Sequence, residues 1–214
     1  MSECTVVDND LGLYAIADPM GGDGGSRAAT TTLETLVEYL RAGTSGAGEP
    51  ELAVRDAIVE ANRRVIETVP RGAGCAVAVV WFCGERAVVA HVGDSLVFRW
   101  RDAELVCLTA EHSLRNDYIA KGFTTEQIAT VPANIIVRTI GMGPEVRPDV
   151  QVLDVRSGDA WLLASDGVVA SVGEPAIAEA VAWRKPPDAV REILRLAEEK
   201  NGPDNLTCVV ARRW

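Results

Sequence analysis

Four apolar runs follow one another in the middle of the chain: CAVAVVWF (75–82), RAVVAHV (86–92), LVFRWR (96–101) and ELVCL (104–108). Valine-rich runs of this length, bounded by turn residues, are strands. Joins as short as GDS and RDAE leave no room for a crossover helix, so neighbouring strands must run antiparallel. Further strands are expected at LGLYAIA (11–17), VQVLDV (150–155), AWLLAS (160–165) and NLTCVVA (205–211). Helical spacing appears elsewhere. Ser26 is placed to cap a helix bearing Leu33, Leu36, Val37 and Leu40, and Val54, Ile58, Ala61 and Val65 lie on one face of a second. The segment from Glu111 to about Ile128 is helical with an interruption at Gly122, and Val190, Ile193, Leu194 and Ala197 mark a helix near 187–199. Strands in blocks with helices in separate runs define an α+β fold, here a two-sheet sandwich with helices on both outer faces. The 214 residues suit a single domain, 1–214, with 111–141 as a flap-like segment.

Charge narrows the function. Thirty-one acidic residues against 21 basic ones give a net charge of −10, which repels phosphate backbones and anionic lipid, so neither nucleic acid nor a membrane is an expected partner. No apolar run has the length of a membrane span and MSECTVVDND is unlike a signal peptide, which implies a cytoplasmic protein. The five cysteines form no C-x-x-C pair. Buried free thiols in strands are expected, rather than disulfides or a zinc site.

Three aspartates share a setting. Asp18 follows YAIA, Asp166 follows AWLLAS, and Asp204 precedes NLTCVVA, so each carboxylate sits at a strand end beside a turn. If those strands are neighbours the carboxylates converge, and converged anions repel unless a cation lies between them. An all-oxygen set suits Mg²⁺ or Mn²⁺. After Asp18 comes PMGGDGG, where glycine lets the backbone approach closely because it has no Cβ. GGDGGSR has no lysine for a phosphate-cradling nucleotide loop, and DNDLG (8–12) lacks the glycine and closing glutamate of a calcium loop.

ADPMGGDGG, AHVGDSLVFRWRDAELVCLTAEHSL, LLASDGV and GPDNLTCVV occur in the order and approximate spacing found in bacterial metal-dependent serine/threonine phosphatases of the protein phosphatase 2C type. VPANIIVRTIG also resembles the segment expected between the second and third. The resemblance runs from about residue 3 to the C-terminus. It implies a four-layer sandwich, two antiparallel β-sheets flanked by pairs of α-helices, and hydrolysis of phosphoserine or phosphothreonine on proteins by a metal-bridging hydroxide. Two Mn²⁺ or Mg²⁺ ions would be held by Asp18, as the bridging ligand, with Asp166, Asp204 and the carbonyl of Pro19. Glu3, in SEC, occupies the place of the acid in the family's N-E-D motif, and Glu111, in AEHS, that of an aspartate at a third, weaker metal site. The implied partners are a phosphoprotein substrate and a cognate serine/threonine kinase.

The chain departs from the family pattern at Pro19 for a glycine, Asp23 for a histidine, Gly74-Cys75 for Gly-Thr, and Glu111 for an aspartate. The arginine that grips the substrate phosphate, upstream of N-E-D, has no counterpart here, which leaves Arg27 as the candidate for that task and the N-terminal edge apparently shortened. An alternative reading is a catalytically weak or inactive phosphatase-like domain that binds a phosphoprotein or regulatory partner. Asp94 reads as a hydrogen-bonding residue of a hairpin. His91 reads as a core or sheet-end residue, and His112 as a residue that caps or orients Glu111. Trp81, Trp100 and Trp161 read as core or sheet surface.

Overall fold

The structure is a computed structural model; it describes residues 5–43, 49–132, 134–200 and 206–213. In chain order the elements are β1 (Thr5–Asp8), β2 (Leu13–Met20), α1 (Asp23–Gly43), α2 (Pro50–Thr68), β3 (Gly74–Cys83), β4 (Arg86–Val92), β5 (Leu96–Arg101), β6 (Glu104–Cys107), α3 (Leu114–Ala120), β7 (Asp149–Asp154), β8 (Ala160–Ala164), α4 (Asp166–Val172), α5 (Glu174–Trp183), α6 (Pro186–Glu199) and β9 (Cys208–Arg212). One sheet has the order β1-β2-β3-β4-β7 and the other β6-β5-β8-β9. Every pairing is antiparallel. No helix among the described residues is long and apolar enough to cross a membrane.

Period-two alternation builds the layers. On β2, Ala15 and Ala17 join the core shared with α1 and α2, while Ile16 faces the other way into the core between the sheets. On β8, Leu162 and Ala164 pack with α4, α5 and α6, while Trp161 and Leu163 enter the inter-sheet layer. The result is helix, sheet, sheet, helix. One outer layer is the expected pair, α1 and α2; the other holds three helices, α4, α5 and α6.

The short joins resolve into two kinds. β3–β4 and β5–β6 are hairpins as expected. GDS (93–95) is not a hairpin turn, for it carries the chain from β4 in one sheet to β5 in the other. Gly93 makes the crossing possible: its φ is +108°, and a Cβ there would stand 2.5 Å from Cβ of Ala76. Asp94, read from the sequence as a hairpin residue, is therefore buried at a sheet-to-sheet crossover.

Helix α1 begins at Asp23, before Ser26, so Ser26 lies within its first turn rather than capping it. The glycines allow this early start: a Cβ on Gly25 would lie 2.5 Å from the Met20 carbonyl oxygen. Helicity after Glu111 is confined to α3, which ends before Gly122 at φ +86°. The excursion that follows is tied back to the body by isolated bridges Ser113↔Ile136 and Cys75↔Ile140.

Candidate metal centre

Asp18 shares the parity of Ile16, which places it on the inter-sheet side of β2, where it is 8% exposed. It pairs in register with Ala76, and Ala76 lies against Gly93, the residue just past the end of β4. The row Asp18, Ala76, Gly93 therefore brings the bridging-ligand candidate to the end of the sheet where the chain crosses over.

Pro19 continues β2 opposite Cys75. Cys75 spends its main-chain groups on Ile140, its N–H on the Ile140 carbonyl at 3.2 Å and its carbonyl on the Ile140 N–H at 3.0 Å. The Pro19–Cys75 pair is thus a non-hydrogen-bonded one, where a missing N–H disrupts nothing. The Pro19 carbonyl accordingly points away from β3, which makes it a candidate oxygen ligand.

Asp166 opens α4 one residue after Ser165, and its Oδ1 accepts from the Gly167 N–H at 2.6 Å. Ser165 is bonded to Thr207 twice, through its own N–H to the Thr207 carbonyl at 3.0 Å and through Oγ from the Thr207 N–H at 3.2 Å. That pairing fixes the chain three residues beyond Asp204 beside Asp166. Glu3 and Asp204 themselves lie outside the described residues.

Glu111 stands in the segment after β6, next to His112, whose N–H donates to the Gly93 carbonyl at 2.8 Å. Burial pushes the Glu111 carboxyl above its ordinary pKa, and the negative charge of Asp166 pushes it the same way. Two half-buried carboxylates close enough to repel fit a divalent cation between or beside them. Asp18, Pro19, Asp166 and Glu111 are thus delivered to one end of the sandwich by β2, β8 and the crossover. Arg27 is exposed and donates from Nη2 to the Thr68 carbonyl at 2.9 Å, capping the C-terminal end of α2.

Among the described residues, the group of three metal-capable side chains whose ligand atoms lie within 4.8 Å of one another is a different one: His91, His112 and Asp149. Nothing in the sequence pattern joins these three, which stand in the separate stretches HVGDS, AEHS and RPDV. The imidazoles stack, with centroids 4.4 Å apart at 29°. His91 Nε2 lies 2.9 Å from the Ala110 carbonyl and can only donate to it. His112 Nδ1 accepts from the Gly93 N–H at 3.1 Å, so in the neutral ring Nε2 carries the proton, 3.3 Å from Asp149 Oδ2. A metal on Nε2 would need an imidazolate or the loss of the Gly93 bond, and stacked rings aim their in-plane lone pairs side by side. These three residues form a polar strut. Asp149 also receives Arg138 at 2.9 Å. His112 therefore braces the crossover rather than capping Glu111. Burial lowers the His91 pKa, and burial, with the neighbouring His91 and Arg138 adding to it, lowers that of His112 to about 4.

A helix–sheet–sheet–helix sandwich with carboxylates gathered at one end defines a class of metal-dependent hydrolase folds. The Protein phosphatase 2C family matches residues 4–211. Serine/threonine protein phosphatase PstP of Mycobacterium tuberculosis is 31% identical over 206 residues, covering 93% of this chain and 40% of that protein. The phosphatase MsPP of Mycobacterium smegmatis, solved in complex with cacodylate, superposes with a TM-score of 0.84 at 31% identity, covering 98% of this chain and 90% of that one. The PstP catalytic domain solved with two manganese ions superposes with a TM-score of 0.81 at 27% identity, covering 98% and 94%. This chain belongs to the protein phosphatase 2C family. It spans less than half of the full PstP length.

Proposed function

We propose that the protein hydrolyses phosphoserine and phosphothreonine esters on proteins at the sandwich end that carries Asp18, Asp166 and Glu111. The observation that carries this reading is the delivery of Asp18 at the end of β2, Asp166 just past the end of β8 and Glu111 beside the Gly93 crossover to one end of the sandwich. Asp18 and Asp166, with Asp204 and Glu3, supply the carboxylates for two Mn²⁺ or Mg²⁺ ions, and the Pro19 carbonyl supplies a neutral oxygen. Glu111 serves a third, weaker ion. Two divalent cations, when bound, provide the Lewis acidity for in-line attack of water on phosphorus.

The chain's own residues do the rest. Asp18 is held rigidly by the β2–β3 ladder, and Asp166 by the start of α4. Burial of the inter-sheet side at Asp18 limits water access and strengthens electrostatics there. Arg27, released from the Thr68 carbonyl, is the cation on the glycine-loop side that can meet the substrate phosphate. The reading carries with it a phosphoprotein substrate, a cognate serine/threonine kinase that produces it, and a cytoplasmic setting for both.

The test is manganese-dependent release of phosphate from a phosphothreonine peptide by the purified chain, with Asp18→Asn beside it. Turnover that requires manganese and is lost in the folded variant supports the reading. A folded wild-type chain that binds manganese yet releases no phosphate would instead be the binding-only relative. Arg27→Ala is expected to raise KM for the peptide and leave kcat unchanged.

A further inference from the structure

The outer helices differ in what they turn to solvent. α1 exposes Arg27, Glu34, Glu38 and Arg41, and α6 exposes Asp188, Arg191, Arg195 and Glu198. α2 instead exposes Leu52, Val59 and Ile66, at 54%, 46% and 43%. Its opposite face, with Val54, Ala57, Ile58 and Val65, is buried in the core against the sheet. Asp56 and Arg63 are exposed as well and stand between the three apolar residues. The steps from Leu52 through Asp56, Val59 and Arg63 to Ile66 alternate four and three, the spacing of a helix–helix seam. On an α-helix all five fall within an arc of about 80°. Residues 44–48, outside the described set, join α2 at its first turn, whereas Val59 and Ile66 stand roughly two and four turns further along.

A loop widens the apolar surface. Asn62 donates from Nδ2 to the Gly143 carbonyl at 3.0 Å and accepts at Oδ1 from the Gly141 N–H at 2.8 Å. Asn62 is three residues past Val59 and four before Ile66, so these bonds set Met142, itself exposed, beside the seam. The face lies on the far side of the sheet from Asp18, and nothing in the phosphatase reading uses it.

The order of the charges selects the partner. Two copies of α2 can run antiparallel about a two-fold axis between Val59 and Glu60. Asp56 of each copy then stands opposite Arg63 of the other, Leu52 meets Ile66, and Val59 meets its own equivalent, the apolar residues about 1.5 Å out of step. A parallel pair would instead set Asp56 on Asp56 and Arg63 on Arg63. Antiparallel helix dipoles add in the same direction. Asp56 is bonded to no described residue. Arg63 is held by Glu60 and Glu67, both on one flank of the seam, through Nε, Nη1 and one bond from Nη2, which leaves an Nη2 hydrogen for a further carboxylate. Glu60, the acid nearest the axis, is neutralised within each copy by Arg63 and Arg64.

We propose that the outer face of α2 is a self-association surface, closing a two-fold dimer in which two α2 helices pack antiparallel about Val59. The contact is isologous, so Asp56–Arg63 pairs form twice and the apolar residues cover one another. The inference is independent of catalysis, and both metal centres stay open.

Sedimentation of the full chain from about 10 μM to about 1 mM should show reversible association of monomer to dimer. One helix seam is smaller than the roughly 800 Å² per partner of a standard interface, so a Kd on the order of 100 μM is expected. Val59→Glu sets two acids against each other at the axis and should weaken the dimer at least about tenfold. Asp56→Arg and Arg63→Asp should each do the same, since one makes two arginine pairs and the other two aspartate pairs. Mixed in equal amounts, these two charge variants should associate at least about tenfold more tightly than either alone, and the double reversal in one chain should restore the parent's Kd. Circular dichroism checks that each variant is folded. If Arg63→Asp fails to fold, Val59→Glu and Asp56→Arg still decide. A chain that stays monomeric at 1 mM overturns the proposal, as does a dimer that Val59→Glu or Asp56→Arg leaves intact. Folded charge variants that do not complement one another in the mixture overturn the antiparallel register and the proposal with it.

Discussion

Gly93 and His112 hold each other through two hydrogen bonds, the Gly93 N–H to His112 Nδ1 at 3.1 Å and the His112 N–H to the Gly93 carbonyl at 2.8 Å. The first fixes the imidazole tautomer and the second fixes the segment that carries Glu111. Gly93 in turn sits on Ala76, the register partner of Asp18. A glycine with no side chain thus links two acids that sequence places far apart.

Gly93→Ala is expected to be among the most damaging single-methyl additions in the protein. The new Cβ would meet Ala76 Cβ at 2.5 Å and Ala76 Cα at 2.9 Å, with φ at +108° where an L-residue is strained. Overpacking and backbone strain together should cost about 3 kcal/mol or more. Urea unfolding midpoints of the variant and the parent check this.

Acid should weaken the strut before it protonates ordinary aspartates. His112 is buried neutral with a pKa near 4, while an unfolded histidine titrates near 6.5. Between those values the unfolded chain binds more protons than the folded one, so stability is complete above about pH 6.5 and falls as pH drops toward 4. The loss from His112 alone amounts to as much as about 3 kcal/mol. His91, shifted in the same direction, adds to it, and Glu111, whose raised pKa favours the protonated folded form, opposes it at the lower end. Unfolding free energies of chelator-treated protein from pH 7 to 5 should fall, and His112→Gln should flatten the slope.

The far end of the sandwich depends on a different pair. Arg101 grips Asp159 with two bonds of 2.7 Å, and Asp159 is 1% exposed. Burial alone would raise the Asp159 pKa, but the Arg101 bonds and the Arg156 N–H lower it overall. Asp159→Ala leaves Arg101 partly buried without its principal partner, and a loss of about 3–5 kcal/mol is expected. Turnover of the fraction that stays folded should not change, because Asp159 and the metal centre occupy opposite ends of β8.

Much of this architecture can be read from residue patterns. The valine-rich runs from Cys75 to Leu108 fall within two residues of the observed strands, because apolar alternation and short joins are local signals. Helices α4 and α5 escape that reading. DGVVASV is too short to show a period, and EPAIAEAVAW is apolar nearly all round. β1 is missed as well, four residues at an edge with only Val6 and Val7 to mark it. Asp18 and Asp166 stand out as candidates because each ends an apolar run. Asp149 does not, since its importance comes from register, facing His91 across β4–β7. The GDS turn misleads for a similar reason: a hairpin and a crossover differ in what the next strand pairs with, which three residues do not encode.

Removing a ligand should uncouple manganese binding from stability. In the metal-free chain, burial disfavours the ionised Glu111 and the charge of Asp166 adds to it, so Asp166→Asn removes a repulsion and should leave the melting temperature equal to or above that of the parent. Manganese binds the folded state and raises the parent's melting temperature in proportion to the logarithm of its concentration over Kd. The variant, with one anionic ligand fewer, should show a clearly smaller rise at the same manganese concentration. Phosphopeptide turnover should fall about a thousandfold, equivalent to about 4 kcal/mol of transition-state stabilisation. Asp18→Asn should show the same two effects and a larger loss if, as proposed, Asp18 bridges both ions. The measurement is differential scanning fluorimetry across a manganese titration, paired with phosphate release. A manganese-induced shift in Asp166→Asn equal to that of the parent would remove Asp166 from the metal centre, whatever its effect on turnover.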